Sequence, residues 1–181
     1  SKRRKESMQF FNTPVPGIGG ACSYTVARTN KRYLIGSRSN QGSSLTDIVA
    51  APLENDIIEP AHFQILASVK VQAATSFTAG KKMLWFTDAG SSVFGLPMDP
   101  KTGLPMPGPL HVYSNDVNNV NTIANRPINL FEDPAGNLWV ATKGGGICKI
   151  VMSIPYGKKG SVIRYKHDNN NPDSPGNDIV W

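Results

Sequence analysis

Part of this chain repeats itself at a fixed spacing (165 − 113 = 52). Residues 111–129 read HVYSNDVNNVNTIANRPIN, and residues 165–181 read YKHDNNNPDSPGNDIVW. The segments align without a gap and match at six pairs: Tyr113 with Tyr165, Asp116 with Asp168, Asn119 with Asn171, Thr122 with Ser174, Asn125 with Asn177, and Ile128 with Val180. A chain with such a period folds as a row of similar units that bury their apolar surfaces against one another.

A second series of short apolar segments indicates how many units there are. Residues 84–88 recur at 138–142, and a fainter copy lies at 33–37, so these copies have nearly the same spacing along the chain. A turn of small residues and another apolar run follow each copy, at 90–94, 144–148 and 42–45. We therefore predict repeats at about 22–68, 69–121 and 122–173, with 174–181 opening a further unit.

Each unit consists of short β-prone runs separated by turns, which predicts an all-β fold. In the third unit we expect strands at 128–132, 138–142, 146–153 and 161–166. Only residues 60–68 allow a helical turn. Four antiparallel strands in about fifty residues form the blade of a β-propeller. The sequence thus predicts about three four-stranded antiparallel blades of a larger β-propeller, centred on 22–50, 71–113 and 128–166.

Residues 1–20 combine charged residues with prolines and glycines, which predicts an entry segment or linker. The net charge is +6, and four cations and one anion within the first six residues supply half of it. Basic residues are not interleaved with aromatic residues, so we expect no nucleic-acid partner. No run is long enough to span a bilayer, so we expect no membrane contact by this segment. Cys22 and Cys148 are expected to be free thiols.

Residues 131–147 carry a family resemblance. They read FEDPAGNLWVATKGGGI: an acidic pair, a Gly-Asn turn, Leu-Trp, a small residue with Thr, and a double glycine. This pattern resembles the two-component regulator propeller repeat. Residues 173–181 resemble the family's lead-in to the next blade, with Pro175 in place of the usual Leu. Residues 122–147 and 173–181 match well, 69–96 in part, and 22–50 weakly.

The resemblance implies the periplasmic, ligand-sensing region of a bacterial hybrid two-component regulator, of the kind that responds to glycans. On that view the chain is a fragment. It catalyses nothing, needs no cofactor and takes an oligosaccharide ligand. It joins the remaining blades of the same protein, and the full-length sensor is a homodimer whose kinase lies elsewhere. Two alternatives stay open: a propeller enzyme such as a lyase, a lactonase or a peptidase-associated propeller, and a purely structural propeller scaffold.

Two tryptophans occupy the same repeat position, Trp85 and Trp139. A large ring at a repeated strand position is typical of packing between neighbouring blades. The other interpretation, a stacking platform for a sugar ring, requires the tryptophan at only a few positions. We therefore predict that both tryptophans are structural.

The turn residues of the third unit are also expected to be structural. Asp133 and Gly136 fit a tight turn, in which the carboxylate accepts backbone hydrogen bonds and the glycine allows positive φ. Gly144 and Gly145 are predicted to form a strand-to-strand turn, because the strand–GxxxxGK(S/T)–helix context of a phosphate-binding loop is missing around them.

Metal binding is not expected. His62, His111 and His167 are scattered along the chain, without metal-ligand spacing. The asparagine-rich stretches at 115–121 and 167–173 lack the ordered acidic ladder of a calcium loop. We predict that they are connections between blades.

A candidate binding face follows if the first strand of each blade is the innermost one. The turns after the second strands and the connections into the first strands then meet at one face, and loops on a rigid scaffold often carry function. A solvated rim without a ligand remains the alternative. The candidate ligand-binding residues are Arg38, Asp88, Asn125, Arg126, Lys143 and Asn177.

Overall fold

A computed structural model describes residues 18, 31–39, 45–53, 62–71, 74–88, 90 and 92–180, together with the backbone of 21–26. Within these residues the chain forms three four-stranded antiparallel sheets, which confirms the predicted all-β fold. Sheet 1 contains β1 (Ala21–Val26), β2 (Lys31–Ser39), β3 (Thr46–Pro52) and β4 (Gln64–Val69). Sheet 2 contains β5 (Ala74–Ala79), β6 (Met83–Asp88), β7 (Ser92–Pro97) and β8 (His111–Ser114). Sheet 3 contains β9 (Pro127–Glu132), β10 (Leu138–Thr142), β11 (Ile147–Ile150) and β12 (Val162–Tyr165).

The sheets meet mainly through their first two strands. Strand β5 contacts β1 and β2 on one side and β9 on the other, and β6 also contacts β9. Within each sheet the strands follow chain order, so the fourth strand is farthest from the first. The first strand of each sheet is therefore the inner one, as in the blades of a propeller.

Alternation of side chains along the strands produces two separate cores. Leu84 and Phe86 face sheet 1, where Phe86 stacks between Phe77 and Phe94 at centroid distances of 5.4 and 5.3 Å. Trp85, which lies between them in sequence, faces sheet 3 and joins the second core. Alternate residues of the same strand therefore pack against different neighbouring sheets.

The structure corrects two predictions for the first unit. Residues 64–69 form strand β4, so the helical turn allowed at 60–68 is wrong for that part. The alignment of residues 33–37 with 84–88 is shifted by an odd number of residues. Tyr33 faces sheet 2, whereas its aligned partner Leu84 faces sheet 1. An odd shift exchanges the two faces of a strand.

The structure also explains why the second strands repeat at a slightly longer spacing than the fourth strands. Val93 of β7 pairs with Tyr113, and Ile147 of β11 pairs with Tyr165. The paired residues are 20 positions apart along the chain in sheet 2 (113 − 93 = 20) and 18 positions apart in sheet 3 (165 − 147 = 18). The hairpin between the third and fourth strands is therefore two residues shorter in sheet 3. Repeat units tolerate such length differences in their loops.

Several predictions concern residues outside the described ones. The entry segment at 1–20 lies outside them apart from residue 18, as do residues 42–44, Trp181 and the side chain of Cys22. Cys148 is a buried free thiol, as predicted. Among the described residues, no helix combines the length and hydropathy that a membrane span requires.

Candidate functional site

All six candidate ligand-binding residues lie toward the same end of the sheets. Arg38 is near the end of β2, Asp88 ends β6, and Lys143 directly follows β10. Asn125 and Arg126 directly precede β9, and an antiparallel first strand begins where the second strand ends. Arg38, Asp88, Asn125, Arg126, Lys143 and Asn177 together are called the candidate face below.

The third sheet supplies the most exposed part of the candidate face. Asn125, Arg126 and Lys143 are all exposed. The Lys143 backbone N–H donates to the Arg126 carbonyl at 3.0 Å, which holds the two segments together. Arg126 has a φ of +57°, in the left-handed region that few bulky residues adopt. The Oδ1 atom of Asn125 accepts the Arg126 N–H at 3.0 Å.

Asn177 joins this cluster through the last described residues. Ile179 forms an antiparallel bridge with Lys143. The N–H groups of Gly144 and Gly146 donate to the Asp178 carbonyl at 3.0 and 2.9 Å. The exposed Asn177 therefore lies two residues from the bridge to Lys143, as part of the same edge.

Arg38 and Asp88 are placed on the candidate face but already have local partners. Arg38 lies 3.7 Å from the carboxylate of Asp47, whose side chain is only 3% exposed. Asp88 Oδ1 accepts the N–H groups of Gly90 and Ser92, both at 3.1 Å. The first contact joins β2 to β3, and the second stabilises the turn after β6. Within the described structure, each of the two side chains has a structural role.

Two further polar residues near this end were missed by the sequence analysis. Ser76 Oγ on β5 donates to Asn129 Oδ1 on β9 at 3.3 Å, across the two inner strands. Ser76 has a φ of +42° and sits at a bulge in β5. Of the described residues other than glycine, only Ser76 and Arg126 have positive φ, and strained backbone often clusters at functional sites. Neither Ser76 nor Arg126 belongs to a sequence motif that would have predicted its positive φ.

Trp85 confirms the predicted packing role. Its ring is 1% exposed and lies in the core between sheets 2 and 3. Its Nε1–H donates to Glu132 Oε2 of sheet 3 at 2.7 Å, and Glu132 Oε1 accepts the Lys81 backbone N–H at 2.9 Å. The ring also lies against Gly95, where an added Cβ would be 2.6 Å from its Cζ3 atom. Trp85 therefore joins two sheets by both packing and hydrogen bonding.

Trp139 does not have the predicted position between two sheets. It is half-buried and stacks on Tyr165 of its own sheet, with a centroid distance of 5.6 Å and a 19° angle. Lys149 Nζ lies 4.9 Å from the ring centroid, and Nε1–H donates to Asp133 Oδ2 at 3.1 Å. Among the described residues, no further sheet covers this side, so the ring contacts only its own sheet.

Asp133 organises the β9–β10 turn, as predicted. Its Oδ1 accepts the Asn137 N–H at 2.8 Å, and Gly136 has a φ of +86°. Partial burial by itself would raise the pKa of Asp133. The hydrogen bonds from Asn137 and Trp139 and the charge of Lys149 outweigh burial and place the pKa well below its ordinary value. Asp133 is an ionised structural residue, as expected of a turn rather than of an acid catalyst.

The triple glycine forms the predicted turn between β10 and β11. Gly144 has a φ of +104°, and the Gly145 N–H donates to Thr142 Oγ1 at 3.1 Å. A Cβ on Gly145 would collide with Ala124, and one on Gly146 would collide with the Tyr165 carbonyl. Positive φ explains Gly144, and close packing explains Gly145 and Gly146, without a phosphate ligand.

The first asparagine-rich stretch connects sheets 2 and 3, as predicted, and the second has a similar internal structure. Loop 1 (116–122) and loop 2 (168–174) share six hydrogen bonds that correspond one to one. Loop 1 has two more, from Asn121 Nδ2 to Asn119 Oδ1 and from Thr122 Oγ1 to the Asn119 carbonyl. In loop 1, for example, Asp116 N–H donates to Thr122 Oγ1, and in loop 2 Asp168 N–H donates to Ser174 Oγ, both at 3.0 Å. Within the described chain, no three potential metal-binding side chains cluster.

A groove of about 400 Å³ lies away from the candidate face, between β8 and the β11–β12 connection. Tyr113 and Tyr156 form its aromatic wall, and their rings meet edge to face at 5.0 Å. Burial raises the pKa of Tyr156 to about 12. Its hydroxyl donates to the Ser114 carbonyl and accepts the Ile123 N–H, so Tyr156 joins sheet 2 and the residue directly after loop 1 to the β11–β12 connection.

No protein-family model, curated protein or solved structure matches this chain.

Proposed function

We propose that this chain is a non-catalytic, ligand-binding propeller segment from the extracytoplasmic sensor of a two-component regulator, and that it responds to an oligosaccharide. The observation that carries the proposal is the cluster of Asn125, Arg126 and Lys143 at the end of the inner strands. These three side chains are exposed, yet their backbones are fixed by the contact between Lys143 and Arg126.

The chemistry of the cluster suits a polyhydroxylated ligand. Amide side chains both donate and accept hydrogen bonds, as sugar hydroxyls do. The guanidinium of Arg126 can form a bidentate contact with a carboxylate of an acidic sugar. The unusual φ of Arg126 supports this interpretation, because strained residues persist where the surroundings hold a side chain in a particular direction.

The carboxylates at the same end of the sheets as this cluster favour ligand binding over acid–base catalysis. Asp47 accepts the Ser68 hydroxyl, Asp88 accepts two backbone N–H groups, and Asp178 accepts the His167 N–H at 2.7 Å. Each therefore supports local structure. A propeller enzyme remains the second candidate, and it would require one of these groups to reach a substrate. A scaffold role would leave the cluster as a solvated rim.

Calorimetry against neutral and acidic oligosaccharides tests the proposal, using the 181-residue chain and the natural protein that contains it. We expect the natural protein to bind one class and the isolated chain to bind it more weakly. Arg126→Asn, which suits positive φ, and Lys143→Ala should each weaken binding about tenfold or more. Lys159→Ala, in the β11–β12 connection, is the control.

Unchanged affinity in both variants would remove the candidate face from the proposal. Binding to none of the oligosaccharides would favour the scaffold. Turnover of a bound sugar would favour the enzyme.

A further inference from the structure

The side of sheet 3 that points away from sheet 2 is an open apolar face. Register places Phe131, Trp139, Lys149 and Ile163 in one row across the four strands. Ala141, Ile147 and Tyr165 lie in the next row. Phe131 is 58% exposed, Ile163 42% and Tyr165 38%. These residues (131, 139, 147, 163 and 165) are called the open face below.

The equivalent face of sheet 2 is covered. It carries Trp85, Val93 and Tyr113 at the positions that correspond to Trp139, Ile147 and Tyr165. Those three residues are 1%, 0% and 8% exposed, because sheet 3 packs on them. The open face therefore repeats an established interface, one unit farther along the chain.

The loops provide a second, independent indication. Loop 1 leads directly into β9, which packs against sheet 2 beside Trp85. Loop 2 has the same six hydrogen bonds and leads into residues 175–180. There Ile179 bridges Lys143, and the Val180 N–H donates to the Thr142 carbonyl at 3.2 Å. Residues 178–180 thus run beside sheet 3 in the same way that β9 runs beside sheet 2.

Sheet 3, which follows loop 1 in the chain, also donates hydrogen bonds to backbone carbonyls of loop 1. Arg164 donates to the Thr122 carbonyl at 2.7 Å, and Ser161 Oγ donates to the Asn121 carbonyl at 2.9 Å. The corresponding groups of loop 2 are the carbonyls of Ser174 and Asp173. Loop 2 is exposed over most of its length.

We propose that the open face is a docking surface for a fourth four-stranded antiparallel sheet, which begins at Asp178–Val180 and continues along the same chain. Its inner strand would pack beside Trp139, as β9 packs beside Trp85. Its outer strands would carry donors at the positions of Ser161 and Arg164 and reach the carbonyls of loop 2. The open face would then be buried, with Lys149, which has the position of Gly95, held beside the carboxylate of Asp133 at 3.6 Å.

Hydroxyl-radical footprinting tests this proposal by comparing the 181-residue chain with the natural protein. We expect oxidation of Phe131, Trp139 and Tyr165 to fall in the natural protein toward the low rate of Trp85. Met106 and Met152, which are 38% and 36% exposed, should keep their rates and serve as controls. Equal oxidation of the open face in both proteins, or a reading frame that ends shortly after Trp181, overturns the proposal.

A pair of surface substitutions tests the same point through stability. Phe131→Lys should lower the Tm of the natural protein by at least about 4 °C, because it would bury a charge, and should change the 181-residue chain little. Val112→Lys on β8, where Val112 is 52% exposed, should leave both nearly unchanged. If the open face of the 181-residue chain becomes protected as concentration rises, and sedimentation finds a dimer, a second copy is the occupant and the proposal fails.

Discussion

Trp85 and Trp139 have the same repeat position but different surroundings. Trp85 is enclosed by sheet 3, lies on Gly95 and donates its indole hydrogen to Glu132 of the next sheet. Trp139 has Lys149 at the position of Gly95 and donates to Asp133 within its own hairpin. The comparison teaches that a repeated residue acquires its energetic role from the unit beside it.

The largest expected difference between the two sites concerns the rings themselves. Trp85→Ala should destabilise the 181-residue chain by about 3–5 kcal/mol, because it leaves a cavity between two sheets. Trp139→Ala should cost only about 1–2 kcal/mol, since less apolar surface is buried there. Urea unfolding of both variants measures the two values. Equal midpoints would mean that the two rings contribute alike.

The residue that faces each ring provides the second test. Gly95→Ala should cost about 2–3 kcal/mol, because the new Cβ would force the Trp85 ring out of a packed core. Lys149→Ala removes a cation from a half-exposed ring and should cost only about 0.5–1 kcal/mol. Thermal unfolding of the two variants provides the comparison. A Gly95→Ala variant as stable as the parent would mean that the core adapts easily.

Substitution of the residue that accepts each indole hydrogen bond is expected to give a smaller difference in stability between the two sites. Glu132→Ala leaves the Trp85 and Lys81 N–H groups without their partner and should cost about 1–2 kcal/mol. Glu132→Gln retains an acceptor oxygen and should recover part of that loss. Asp133→Asn is the corresponding change at Trp139, where the effect should be confined to the turn. Chemical denaturation and the indole ¹H shifts of Trp85 and Trp139 provide the measurements.

The smallest expected effect is a pH dependence of stability at His167, the residue directly before loop 2. His167 Nδ1 lies 2.8 Å from the Pro175 carbonyl, where loop 1 has Asn115 donating to Ile123. The contacts with Pro175 and Asn169, and the charges of Asp178 and Asp168, raise the pKa of His167. The contribution to stability is therefore fully present below the ordinary pKa of about 6.5, and it is lost as pH rises through the raised value.

An NMR titration of the His167 ring measures this pKa directly. His167→Asn copies loop 1 and should remove the pH dependence while keeping the contact with Pro175. A pKa at or below the ordinary value of histidine would contradict the expectation.

Most of the fold could be predicted from local patterns. The nearly constant spacing between copies identified the units, and residues 133–137 identified their turn, because Gly136 and Asp133 have strong local preferences. The register of the first unit was predicted less well. Tyr33 and Leu84 are both apolar, and composition does not distinguish the two faces of a strand that is buried on both sides.

The candidate site could be predicted only in part. The sequence placed Asn125, Arg126 and Lys143 on one edge, since strand order and turn position follow from the repeat. It missed Ser76 and Asn129, because a bulge shifts the register without a characteristic residue. It also could not indicate that Arg38 and Asp88 would be engaged with neighbouring groups.

The sequence by itself determined the all-β class, the repeat and the turns, because these depend on periodicity and on the backbone preferences of a few residues. Only the tertiary structure decided that Trp85 is enclosed while Trp139 remains half-buried. Burial depends on whether another sheet packs against the ring. That property belongs to the pair of sheets rather than to the tryptophan or its motif.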